Sequence, residues 1–191
     1  MLRLFKHAVA GAATVVMLAA TPAYSANREE ASLSTISATS LEPGQFVWEA
    51  NAPADGPVEI VVSIPLQLAY VYRGGTLIGV STISSGAPGN DTPTGTFQIL
   101  QKRRDHRSNL YNDAPMPFMQ RLTWDGIALH AGEIPGHPAS HGCVRLPLAF
   151  ARQLFTMTRL GGSVHVVDTA FTPQEATLLL RDGQSTALAS N

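Results

Sequence analysis

The sequence predicts a mostly β fold, a small sheet-rich barrel or sandwich with one main helix and a short C-terminal helix. Three observations predict it. Between Val58 and Ile83, β-branched and aromatic residues come in strand-length runs separated by Pro and Gly. Only one long stretch, Pro147 to about Leu160, repeats its apolar residues with helical period. The chain has 191 residues, of which 45% are apolar, enough to build one core and to exclude global disorder.

The N-terminus reads as an address rather than as fold. Arg3 and Lys6 make a positive start, Ala8 to Ala20 is an apolar run, and Thr21-Pro22-Ala23-Tyr24-Ser25-Ala26 supplies small residues for cleavage after Ser25. The run falls short of the ~20 residues a bilayer span needs, so a signal peptide over residues 1–25 is preferred to an uncleaved anchor. No cysteine lies near that point, which excludes lipidation there. The net charge is −1; losing two of the 13 basic residues with the signal leaves 11 against 14 acidic, a net −3. This balance argues against a nucleic-acid binder held by phosphate contacts. The expected location is outside the cytoplasmic membrane, in periplasm or cell wall, with no stable membrane insertion after cleavage.

Residues 26–45, rich in Ser, Thr, Ala and Glu, read as a flexible linker. Phe46-Val47-Trp48 form a lead-in strand, and Asn51 to Pro57 a turn-rich break. Val58, Ile60 and Val62 begin the sheet. Leu68 to Tyr72 follows, and Gly74-Gly75 turns the chain into Thr76 to Ile83. After a loop with Gly86, Pro88 and Gly89, Thr92-Pro93-Thr94-Gly95 leads to a strand from Thr96 to Leu100. Residues 102–117 read as a long excursion, and long excursions in compact domains are often functional. Leu122 to Leu129 resumes as strand and delivers His130. Pro147 opens the main helix and Gly161-Gly162 stops it; Val164 to Val167 is the last strand. Thr172-Pro173-Gln174-Glu175 is a capping-box signature for a short helix to about Arg181, in a tail over residues 169–191.

The chemistry concentrates in Ser140-His141-Gly142-Cys143-Val144-Arg145-Leu146. Cys143 is the only cysteine, in a chain that carries an export signal. Exported proteins mostly use cysteines in disulfide pairs, so a solitary one following His-Gly points to chemistry rather than to core packing. A cysteine attacks a carbonyl as thiolate after a nearby imidazole takes its proton. His130, expected at the end of a strand, is the chosen base; His141 lies two residues from Cys143, and His137 is placed in a surface loop. The N–H groups of Gly142 and Cys143 are the candidate oxyanion donors, aided by the positive end of the helix that follows. His106 and His165 read as structural or solvated. A zinc site from His130, Glu133, His137, His141 and Cys143 is disfavoured, because Gly136 and Pro138 oppose the helix that its His spacing requires. A redox role lacks a second, resolving cysteine.

His130 followed by SHGCVRL resembles the signature of bacterial L,D-transpeptidases, the YkuD-type catalytic domain. The likeness runs over roughly residues 46–168. It includes Val58 to Val62, Gln67, Tyr70-Val71-Tyr72, Gly79 to Thr82, Thr92 to Phe97, Met116-Pro117 and Trp124 to His130. Ala131 stands where other members carry Gly or Ser, so the expected partner orienting His130 is a backbone carbonyl. The resemblance implies an acyltransferase acting on peptidoglycan tetrapeptide stems. Cys143 would be the nucleophile and His130 the proton donor and acceptor, with Gly142 and His141 at the oxyanion and Arg145 and Ser140 at the substrate. It implies no cofactor and no metal, and a monomer is expected. The acceptor in this reading is a second stem, giving a 3→3 cross-link. The alternatives are water as acceptor (an L,D-carboxypeptidase or amidase) and a non-catalytic peptidoglycan-binding module. A peptidase of the NlpC/P60 type would place its base after the nucleophile, whereas His130 precedes Cys143. The basic run Lys102, Arg103, Arg104 and Arg107 is a candidate peptidoglycan-facing patch or a solvated loop.

Overall fold

The structure, a computed structural model, describes residues 41–178, 180 and 181. The signal-peptide reading, nearly all of the linker and the end of the tail fall outside these residues. The strands, in chain order, are β1 (Phe46–Trp48), β2 (Val58–Ser63), β3 (Leu68–Arg73), β4 (Thr76–Thr82), β5 (Gly95–Gln98), β6 (Gln101–Arg103), β7 (Met119–Arg121), β8 (Ala128–Ala131), β9 (Val144–Leu146) and β10 (Ser163–Val167). Helix α1 (Leu148–Met157) lies between the last two. They form a six-stranded sheet, β1-β4-β3-β2-β10-β5, and a four-stranded sheet, β6-β7-β8-β9.

The mostly β reading holds, with two sheets and one main helix. Between the sheets lies the principal core, with Ile60, Val62, Val71, Ile83, Leu129, Val144, Leu146 and Val164 joined by Phe150, Ala151 and Leu154 of α1. Alternation explains it, since every second residue of each strand turns inward. Trp48 of β1 stacks on Phe150, with ring centroids 4.4 Å apart.

The large sheet is covered on its other face too. Val61, Tyr70, Tyr72 and Val80 pack against Phe171, Ala176 and Leu180 of the C-terminal segment. The Tyr72 hydroxyl donates to the Pro173 carbonyl at 2.8 Å. Residues 173–178 are helical, opened by the expected capping box. Glu175 Oε2 accepts from the Thr172 N–H at 2.7 Å and Thr172 Oγ1 accepts from the Glu175 N–H at 3.3 Å.

Several boundaries differ from the sequence reading. Residues 122–127 are a turn: the Ile127 N–H donates to Thr123 Oγ1 at 3.0 Å, and the Ile127 carbonyl accepts from the N–H groups of Leu122 and Thr123, with Gly126 at φ 120°. Only Ala128–Ala131 is strand there, so Asp125-Gly126 ends one strand and starts the next. The short strands β7 and β9 were not foreseen, because three residues are too few to show a period. Helix α1 stops at Met157 rather than near Leu160, and its buried face is Phe150, Ala151 and Leu154, with Leu148 60% exposed. Lys102 supplies the stop: its Nζ donates to Phe155 O and Thr158 O at 2.7 and 2.6 Å and lies over the Phe155 ring.

Candidate active site

Strands β8 and β9 run parallel, with Leu129 opposite Val144 and His130 opposite Arg145. Directly opposed residues point the same way, and neighbours along a strand point oppositely. Leu129, Val144 and Leu146 therefore enter the core, while Ala128, His130, Cys143 and Arg145 line one cleft of about 540 Å³. Two residues 13 positions apart in sequence reach the same wall because the loop between them returns the chain to the adjacent strand.

His130 is 8% exposed. Its Nδ1 sits 2.8 Å from the Ala131 carbonyl, an acceptor, so Nδ1 carries the proton and Nε2 is left with its lone pair. The expected backbone carbonyl partner is thus that of Ala131. Burial holds the imidazole below the ordinary histidine range, the Ala131 bond opposes this, and Arg145 and His106 reinforce it. The Cys143 thiol donates to the Gly126 carbonyl at 3.5 Å. Burial pushes it up; the Ala128 backbone, Arg145 and Arg121 pull it partway back. Both shifts oppose charge separation between the thiol and the imidazole that line this cleft.

The turn before Cys143 is closed by its own side chains. Ser140 Oγ donates to the Cys143 carbonyl and accepts from the Gly142 N–H at 3.1 Å. Ser140 therefore braces the loop, and the Gly142 amide is already engaged. Gly142 has φ 106°, and a Cβ there would lie 2.8 Å from Ile127 Cδ1. Its carbonyl accepts from Thr92 Oγ1 at 2.9 Å, and the same oxygen of Thr92 accepts from the Gly86 N–H at 2.8 Å. Ser85 O receives the N–H groups of Ala139 and Ser140, both at 3.0 Å, while the Ser85 hydroxyl accepts from Gln67 Nε2 at 2.7 Å. Gln67, Ser85 and Thr92 form a supporting layer that sequence reasoning did not assign; the Thr-Pro-Thr-Gly turn was its visible trace. Four residues, the three of β9 and Pro147, separate Cys143 from the first residue of α1, about 16 Å of extended chain. The helix end thus lies beyond the range at which it strongly favours a thiolate, which corrects that expectation.

The excursion is a hairpin hanging over the cleft, with Tyr111, Leu110 and Met116 along its wall. Its tip is held by Arg107 Nη1 on Asp113 Oδ2 at 3.2 Å and by Tyr111 stacked on His141, ring centroids 4.4 Å apart. His141 is exposed at the rim, His137 is exposed in its loop, and Glu133 is exposed. The basic run divides: Lys102 ends α1, Arg104 lies over the Phe118 ring, and Arg107 holds the hairpin. His106 and Arg121, which the sequence reading left out of the site, both line the cleft. Among the described residues, no three His, Cys, Asp or Glu side chains are grouped to hold a metal ion.

Residues 57–166 match the family described as the YkuD L,D-transpeptidase catalytic domain. The chain belongs to this family. Solved structures of similar fold include an L,D-transpeptidase from Mycobacterium smegmatis, with TM-score 0.54 and 24% identity, covering 58% of each chain. Another, from Stackebrandtia nassauensis, has TM-score 0.54 and 26% identity, covering 61% of this chain and 58% of that one. A third is the LD transpeptidase LdtMt1 in complex with imipenem, with TM-score 0.54 and 25% identity, covering 58% of each chain. This L,D-transpeptidase-family chain thus spans less than two thirds of the length of these structures. No curated protein matches it.

Proposed function

We propose that the protein is an exported cysteine acyltransferase that forms 3→3 cross-links between peptidoglycan stems. The observation that carries this reading is the placement of His130 and Cys143 on one cleft wall, with the imidazole Nδ1 committed to Ala131 and Nε2 available. Family membership supports the substrate class.

In the proposed reaction, Cys143 Sγ attacks the carbonyl of the L-centre of diaminopimelate in a tetrapeptide stem while its proton passes to His130 Nε2. The Cys143 N–H stabilises the oxyanion; Gly142 contributes the backbone turn that aims it, and His141 borders the site. The intermediate collapses, the C–N bond breaks, and D-Ala leaves with the proton from His130. The thioester is then attacked by a side-chain amine of a second stem. That amine loses its proton to His130, which returns one to the departing Cys143 sulfur. Because burial favours the neutral forms of both thiol and imidazole, the proton transfer in this proposal accompanies attack instead of preceding it. Arg145, beside His130, is positioned for a stem carboxylate; Ser140 holds the loop. Water in place of the amine would give a carboxypeptidase.

Mass spectrometry of muropeptides after incubation with purified protein tests the reading. A dimer joined 3→3 is expected; tripeptide and free D-Ala alone would assign the carboxypeptidase instead. The carbapenem imipenem, the ligand of LdtMt1, is expected to add covalently to Cys143 and not to Cys143→Ala. Labelling of the variant would overturn the nucleophile assignment. Export is part of the proposal: the secreted protein should begin at Ala26, read by N-terminal sequencing.

A further inference from the structure

One cleft residue has no part in the reaction just described. Arg121 lies opposite Ala128 on β7, and Ala128 lies beside Cys143, so a small side chain separates guanidinium from thiol on a shared face. Its Nε donates to Gln101 Oε1 at 3.0 Å, from the residue directly opposite on β6. That bond fixes the side chain and leaves the two Nη groups. Among the described residues, neither Arg121 nor Arg145 has a carboxylate within ion-pair distance; Arg107 pairs with Asp113 instead, out on the hairpin. The only acidic residue lining the cleft is the exposed Glu133. His106 lines the same wall from the base of the hairpin, and the guanidinium is close enough to lower its proton affinity and that of Cys143.

A half-buried guanidinium facing a cleft without a counter-charge is costly unless a ligand supplies one. Its paired donors match the two oxygens of a carboxylate. We propose that Arg121, with His106 beside it, forms a subsite for a free carboxylate of the donor peptide, next to the thiol. The inference rests on the proposed function for the identity of that peptide. A tetrapeptide stem offers three such groups: the D-Ala terminus, the diaminopimelate side-chain carboxylate and the α-carboxylate of the γ-linked glutamate. Arg121 is a binding and specificity residue in this reading, not a participant in proton transfer.

The test uses the free tetrapeptide and its three mono-amides. Binding is measured by calorimetry on Cys143→Ala, where no chemistry intervenes, and on the unaltered protein the 3→3 dimer and the released D-Ala (D-alaninamide from the terminal amide) are measured. One amide is expected to bind about tenfold to a hundredfold more weakly than the free acid, and that amide identifies the carboxylate. Arg121→Gln in the Cys143→Ala background should erase the difference. Arg121→Lys, which keeps the charge without the fork, should restore part of it. In turnover, Arg121→Gln should raise KM far more than it lowers kcat. Equal binding of all four peptides, or an acid preference that survives Arg121→Gln in a variant with unchanged melting temperature, would overturn the subsite. A 3→3 dimer formed without discrimination in binding leaves the proposed function standing and removes the subsite. Discrimination in binding without a 3→3 dimer does the reverse.

Discussion

Cys143 and His130 differ from a pre-ionised cysteine–histidine couple in one respect that can be measured. Burial raises the thiol and lowers the imidazole, so both shifts oppose charge separation. Alkylation of Cys143 by iodoacetamide should therefore accelerate with pH through an inflection above the ordinary thiol range. An inflection below pH 7 would indicate a resting thiolate. Gly142 acts through conformation. A side chain at φ 106° costs on the order of 1–3 kcal/mol, and relief would swing the Cys143 carbonyl from Ser140. Gly142→Ala should lower the melting temperature by several degrees and lose about tenfold or more in turnover per folded molecule; unchanged turnover would remove Gly142 from the positioning machinery. Cys143 and His130 were legible as candidate residues because an unpaired thiol in a chain read as exported has few uses. Arg121 and His106 were not, since nothing in a linear sequence distinguishes a cleft-facing arginine from a solvated one.

Elements were legible in proportion to their length. β2, β3 and β4, with six or seven residues each, show alternation and a Gly-Gly turn. β7 and β9 have three residues each, and their strand state comes from neighbours across the sheet. Helix α1 was found, but its end was misplaced because Lys102, distant in sequence, closes it. Lys102→Met retains the aliphatic stem and removes both bonds to the carbonyls of Phe155 and Thr158. It should destabilise the protein by about 1–2 kcal/mol, seen as a lower melting temperature with activity per folded molecule retained. No change in melting temperature would show that solvent replaces Lys102 at no cost.

The whole molecule places three histidines in surroundings that disfavour their protonation. His106, His130 and His165 are all lowered, chiefly by burial. Below about pH 6.5 the unfolded chain binds these protons more readily than the folded one, so stability rises with pH in that window. It is fully present above pH 6.5 and is lost as pH falls toward the folded values. Glu175, lowered by its bonds to Thr172, works in the same direction at more acid pH. The melting temperature should drop between pH 7 and 5, and His165→Gln should flatten part of that slope. A melting temperature independent of pH across this range would refute the account. The C-terminal segment also belongs to this scale: read as a tail, it covers the second face of the large sheet through Phe171, Ala176 and Leu180.

By itself the sequence determined the strand-rich class, the export signal reading, the family likeness and the cysteine–histidine candidates. Each rests on short-range pattern or on residue types too reactive to be incidental. Only the tertiary structure decided which groups share the cleft. The parallel pairing of β8 with β9 brings His130 beside Arg145 and next to Cys143, and the row across β6, β7 and β8 brings Arg121 to the same wall. That pairing depends on burying Leu129, Val144 and Leu146 against α1 and the large sheet, a long-range packing effect that no local segment encodes.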